Sequence, residues 1–141
     1  MNGYLIDTNV ISEYAKLQPS FTVIRWFESL ESTSLFASVI TLGEIEIGVQ
    51  ALPAGKRRSD LENWVHKGLP EWFQSNLLPV TKSIAERWAA VTILARKRGF
   101  QIDSPDGLIA ATAIEHNLTL VTGNVKDFDG LGVEIFNPWT P

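Results

Sequence analysis

The chain has 141 residues, 45% of them hydrophobic, with a formal net charge of −4 and no cysteine. Such a length and apolar content suit one folded domain with a real core and exclude a disordered chain. The missing cysteine excludes disulfides and thiolate metal sites, and the acidic balance argues against nucleic-acid binding through overall field. MNGYLID lacks the basic start and apolar run of a signal peptide, and nothing approaches the ~20 apolar residues that span a bilayer. A cytoplasmic protein with no membrane attachment is expected.

Tyr4 to Ile6 is predicted as a short strand, after which Asn9 caps a helix over Val10 to Leu17 that stops near Pro19. Phe21 to Leu30 carries Val23, Ile24, Phe27 and Leu30 as a helical stripe. Leu35 to Val39 reads as a second strand. Thr41 to Ala51 reads as a helix with Thr41 and Glu44 as its capping box, closed by the breakers Pro53-Ala54-Gly55. Lys56 to Leu69 is predicted helical, Pro70 interrupts it, and the segment to Leu78 is expected to be a further helix. Ser83 and Glu86 predict a capping box for a helix that runs to Arg98 and ends at Gly99. Ser104 as cap, Pro105 at the first position and Asp106 in the first turn open the next helix. Its residues Leu108 to Ile114 are small or apolar nearly all round, which makes it central. Leu118 to Thr122 and Val133 to Phe136 complete the strands. This alternation predicts an α/β fold, a mostly parallel sheet covered by helices on both faces.

Three acids stand out against that frame: Asp7 in YLIDTNVIS, Glu44 in ASVITLGEIEIG and Asp106 in DSPDGLIAATA. Each is predicted at a junction feeding a helix, at the sheet rim where open α/β folds bind ligands. Singly, each has an ordinary explanation: Asp7 shares a helix cap, Glu44 completes a capping box, and Asp106 complements a helix dipole. Capping does not require the three to converge, whereas a cation site does. Hard oxygen donors select Mg²⁺ or Mn²⁺, and metal-assisted phosphodiester cleavage is the chemistry that follows.

Other chemistries lack their residues. The chain has no nucleophile elbow, P-loop or dinucleotide-binding glycine pattern, and His66 and His116 have no zinc-type spacing. Lys56-Arg57-Arg58 and Arg96-Lys97-Arg98 are compact basic clusters, either solvated helix ends or local phosphate contacts. Trp72-Phe73 and Trp139 lie near expected turns or the terminus, and suit either the core or a partner surface.

LIDTNVISE, the S-x-I-T-x-x-E stretch ending at Glu44, and DGLIAATAIEHNLTLVTGNVKDF together resemble the PIN-domain family. More narrowly they are similar to the VapC-type toxins of bacterial toxin–antitoxin pairs, including the FitB-like branch with its terminal FNPW. The resemblance covers nearly the whole chain as a single PIN domain over 1–141, with residues 53–80 least diagnostic. It implies a PIN-like fold, a central parallel sheet of four to five strands flanked by helices, and a ribonuclease acting on single-stranded RNA. Asp7, Glu44 and Asp106 match the family's acidic positions. The resemblance implies that Asp7 and Asp106 hold Mg²⁺ or Mn²⁺ directly, with Glu44 at metal-bound water or a second ion. Thr8, Asn9 and Thr41 match polar positions beside them. It also implies a homodimer and a cognate antitoxin in a hetero-oligomer, with operator DNA contacted only through the antitoxin.

One position departs from the pattern. The family often places a fourth acid in a T-x-D segment, where this chain has Thr122-Gly123-Asn124. Asn124 brings a carbonyl oxygen but no charge, and it joins Asp7, Glu44 and Asp106 as an expected catalytic residue, with Glu44 or Asn124 positioning the attacking water. Asp127 is the available substitute, though its ordinary reading is a residue that solvates or caps a short turn. A catalytically decayed PIN-fold binding protein is therefore the alternative. A phosphatase using Asp7 as nucleophile is a third, set back by Asn9 where such enzymes carry a second acid.

Overall fold

The computed structural model describes residues 3–141. Five parallel strands form one sheet in the order β3-β2-β1-β4-β5: β1 Tyr4–Ile6, β2 Leu35–Ser38, β3 Leu77–Leu78, β4 Thr119–Val121 and β5 Ile135–Phe136. Among the described residues eight α-helices cover it: α1 Thr8–Ile11, α2 Phe21–Glu28, α3 Val39–Gln50, α4 Lys56–Asn63, α5 Leu69–Phe73, α6 Lys82–Lys97, α7 Ser104–Glu115 and α8 Val125–Phe128. Parallel strands require crossovers, and the helices supply them on both faces. Alternation along the strands divides the core accordingly. Ile6 and Val121 pack with Val10, Val23, Phe27 and Phe73 on one side. Leu5 and Leu120 pack with Val91, Ile109, Ala110 and Phe128 on the other. Among the described residues no helix is long and apolar enough to cross a membrane.

Helix α7 is central, as its composition predicts: Gly107, Ile109, Ala110, Ala111, Thr112 and Ala113 are all buried. Small side chains let it sit against both α6 and the sheet. Trp72, open to either reading from sequence, joins an aromatic cluster with Tyr14 and Phe27 at centroid distances of 5.6 and 5.0 Å. Trp139 packs against the core that contains Ile6 and Val121.

The helix starts differ from those expected, each for a local reason. Asp7, not Asn9, caps α1, because its carboxylate accepts from Thr8 N at 2.7 Å. That helix then tightens into a 3-10 turn over Ser12–Ala15, short of the expected Leu17. Ser38, the last residue of β2, caps α3 through Ile40 N at 3.0 Å, so Thr41 and Glu44 are interior helical residues and form no capping box. Thr81 takes the cap of α6 from Ser83, accepting from Ile84 N at 3.2 Å. In α7 the start is one residue earlier than predicted, with Ser104 already helical and Asp103 at the cap position. In each of the first three, the earliest residue with a competent side-chain oxygen takes the cap.

Between α4 and β3 the chain departs most from expectation. Pro70 does not interrupt the helix, since a π turn over Trp64–Gly68 carries α4 into α5, where Pro70 lies in the first turn. A widened turn is a known way to absorb a proline's missing donor and its clash with the preceding turn. Leu77–Leu78 is an edge strand beside β2, not the end of a helix. Two apolar residues give no period by which to choose.

Ser38→Ala is expected to destabilise the protein by about 1 kcal/mol through loss of the α3 cap, while Glu44→Gln leaves that cap intact. Urea denaturation of both variants checks the assignment.

Candidate active site

Parallel strands bring their carboxyl ends to one rim, and the acids reach it by three routes. Asp7 directly follows β1, where its backbone N–H extends the ladder by donating to Val121 O at 2.9 Å. Glu44 is carried there by the first half of α3, which leaves the same rim from β2. Asp106 follows a helix–helix connection instead of a strand. It reaches the rim because α7 runs back down the sheet to feed β4, so its N-terminus lies at the carboxyl end.

Asp7 is the buried member, 3% exposed. One carboxylate oxygen accepts from Thr8 N at 2.7 Å and the other from the Thr122 hydroxyl at 2.8 Å. Thr122 in turn accepts from Asn9 Nδ2 at 3.2 Å and from Asn124 N at 3.0 Å. A hydroxyl has one hydrogen to give and two lone pairs to fill, and here all three are used. Asn9 also accepts from Gly123 N at 3.4 Å, which ties the turn after β4 to the turn after β1. Thr8 faces the other way and donates to Glu44 Oε1 at 2.6 Å, with the Thr41 hydroxyl 3.3 Å from its own. Thr41 and Glu44, three residues apart on α3, share that face.

The charges oppose one another. Burial raises the pKa of Asp7, and Glu44 and Asp127 add to the rise against the two hydrogen bonds that lower it. Asp106 is pushed up to about 6, first by burial and then by Asp7, Glu44, Asp127 and Asp103. The acids thus feel one another, yet among the described residues no three acidic or histidine side chains share a formed ligand cage. Glu44 is held by Thr8 and Asp7 by Thr122 instead. The donor set is nevertheless one of hard carboxylate oxygens carrying uncompensated negative charge, which fits Mg²⁺ or Mn²⁺ and no soft metal.

The fourth position resolves into two residues with different placements. Asn124 is exposed at the start of α8 with no side-chain cap bond, and contributes its backbone N–H to Thr122. Asp127, read from sequence as a turn residue, lies in the first turn of α8. It lines a cleft of about 340 Å³ with Asp103 and Asp106.

Sequence reasoning missed Thr122 as a site residue, because a buried threonine ending a strand looks like ordinary core. It also missed two tryptophans that brace the acids from behind. A Cβ on Gly107, next to Asp106, would stand 2.8 Å from Trp88; one on Gly123, next to Thr122, would stand 2.8 Å from Trp139. A glycine adjoining each site residue is the signal that could have found them.

A parallel α/β sheet with acids converging at its carboxyl rim defines a small class of folds. The chain belongs to the PIN domain family, which matches residues 4–132. Among individual proteins it is similar to toxin FitB of Neisseria gonorrhoeae, 36% identical over 135 residues that cover 96% of this chain and 97% of that protein. It is also 34% identical over 137 residues to VapC ribonuclease Y4jK of Sinorhizobium fredii, covering 97% and 98% of the two chains. The crystal structure of FitAcB from Neisseria gonorrhoeae superposes with a TM-score of 0.92 at 36% identity, over 98% of this chain and 99% of that one.

The raised Asp106 pKa makes a stability prediction. A folded-state carboxyl with a raised pKa binds more protons than its unfolded counterpart, so stability falls as pH rises from about 4 through about 6. In EDTA, Asp106→Asn is expected to be more stable than wild type at pH 7.5. The gain is on the order of 1–2 kcal/mol once solvent screening of this half-exposed group is allowed for. It should vanish below the unfolded pKa, and melting curves at the two pH values measure it.

Proposed function

We propose that this protein is the toxin of a toxin–antitoxin pair, a divalent-metal-dependent endoribonuclease that cuts single-stranded regions of RNA and is silenced by a cognate antitoxin. The observation that carries the reading is the convergence of Asp7, Glu44 and Asp106, delivered to one sheet rim by three different elements and mutually repulsive there. Membership of the PIN family and similarity to proteins named as a toxin and as a ribonuclease support it.

Asp7 and Asp106 would hold Mg²⁺ or Mn²⁺, with Glu44 as the third acid. When bound, such a cation lowers the pKa of water and shields charge on a phosphodiester's non-bridging oxygens. The chain's own residues do the positioning. Thr122, Asn9 and the Thr8 N–H fix the Asp7 carboxylate, and Thr8 orients Glu44. Asn124 anchors the turn that holds Thr122. Asp127 supplies the negative charge that Asn124 lacks, which favours a working site over a decayed one.

An exposed acidic cleft is also a natural receptor for a guanidinium, the group by which an antitoxin segment would cover it. The same reading makes the protein a cytoplasmic homodimer.

Incubation of the antitoxin-free protein with a mixed single-stranded RNA pool tests the proposal. Cleavage in Mg²⁺ or Mn²⁺ is expected to stop in EDTA. Asp7→Asn is expected to lower it by about 100-fold or more, since metal-assisted charge stabilisation is worth several kcal/mol. Cleavage by Asp7→Asn at the wild-type rate would refute it.

A further inference from the structure

Of the 12 Lys and Arg residues, eight lie away from the cleft and its flanks, and five of those have a carboxylate partner, Arg25, Arg57 and Lys67 having none among the described residues. Lys16, Lys56, Arg58, Lys82 and Arg87 each have a carboxylate partner within 4.0 Å. Arg96, Lys97, Arg98 and Lys126 have none among the described residues. Helix α6 shows the contrast within itself. Near its start Lys82 pairs with Glu86 at 3.2 Å, and Arg87 pairs with Glu115 at 2.5 Å, while the three cations at its end stay unpaired and exposed.

Their location relative to the acids is specific. The chain leaving α6 continues as residues 100–103, one wall of the 340 Å³ cleft, and α8 provides Lys126 and Asp127 on the other. Arg98 joins the two walls, because its guanidinium lies against Gly130 just beyond α8, where a Cβ would collide with it. Gly130 has φ +75°, so the backbone there is also one that disfavours a side chain. The helix dipole explains cations in the last turn of α6. It does not explain why Arg98 reaches across to the loop after α8.

We infer that Arg98 and Lys126, continued by Arg96 and Lys97, form a phosphate-binding track that leads single-stranded RNA backbone into the acid-lined cleft. The inference rests on the nuclease reading and names how its substrate is held. Asp103, Asp106 and Asp127 repel a phosphate chain, so entry needs positive charge beside them that no protein carboxylate already occupies. Lys126 in the cleft lining and Arg98 against Gly130 supply it there, and Arg96 and Lys97 precede Arg98 in the chain. They meet backbone, not bases, and therefore set affinity and path without setting sequence preference.

The test reads binding, not cleavage. Association of a short fluorescein-labelled single-stranded RNA is followed by anisotropy across a salt series in Mg²⁺, using Asp7→Asn protein as the uncleaving parent. Arg98→Gln/Lys126→Gln is compared with Arg57→Gln/Lys67→Gln, a pair with the same change in net charge outside the cleft walls. The first pair is expected to weaken binding several-fold at low salt. It should also flatten the slope of log K against log salt by about 1.4, at about 0.7 for each phosphate that the protein no longer neutralises. The second pair should leave the slope unchanged, and circular dichroism melts confirm that both pairs fold. Equal weakening in the two pairs, no weakening in either, or a parent that binds no RNA would overturn the inference. So would a parent that prefers duplex DNA and loses that preference in the first pair. Wild-type cleavage is scored separately. Weakened binding in the first pair without wild-type cleavage would keep the track and discard the nuclease, and the reverse pattern would do the opposite.

Discussion

Like-charge repulsion at the carboxyl rim of the sheet is the constraint on which this structure turns. A carboxylate placed at the end of a buried strand is costly, and other acids within reach of it make it more so. Asp7 offsets part of that cost with two hydrogen bonds, Asp106 shows it in a pKa of about 6, and Glu44 is held aside by Thr8. A fold selected for stability alone has no reason to gather these groups. The polar network behind them reads as support for a site whose charge is completed from outside.

That support is layered. Thr122, Asn9 and the Asn124 backbone fix the orientation of Asp7, so the turns after β1 and β4 behave as one unit. Behind them, Trp139 and Trp88 fill the space that Gly123 and Gly107 leave open. The C-terminal segment is thereby part of the scaffold of the site, and the two long helices α6 and α7 hold Asp106 from the opposite side.

Much of this is legible in the sequence because several signals agree. An apolar strand ending in Asp7, small residues filling α7 and strands separated throughout by helices all point to one parallel sheet. The acids stand out for the same reason, though Glu44 mimics a cap. Thr41-Leu42-Gly43-Glu44 satisfies the capping pattern, and only the position of Ser38 at the end of β2 decides otherwise. What stays hidden lacks a local signature. Leu77–Leu78 is too short for any period, Thr122 resembles core, and the role of Asp127 depends on how α8 turns. The π turn before Pro70 is a tertiary compromise, since the proline alone argues for a break.

Manganese bound to crystals of the protein gives the most direct test of a cation site at the carboxyl rim, because its anomalous scattering locates the ion without reference to activity. The expected result is an anomalous peak coordinated by Asp7 and Asp106, with Glu44 beside it, that is absent from Asp7→Asn crystals treated in the same way. A peak that persists in Asp7→Asn, or manganese found only away from the rim, would contradict it.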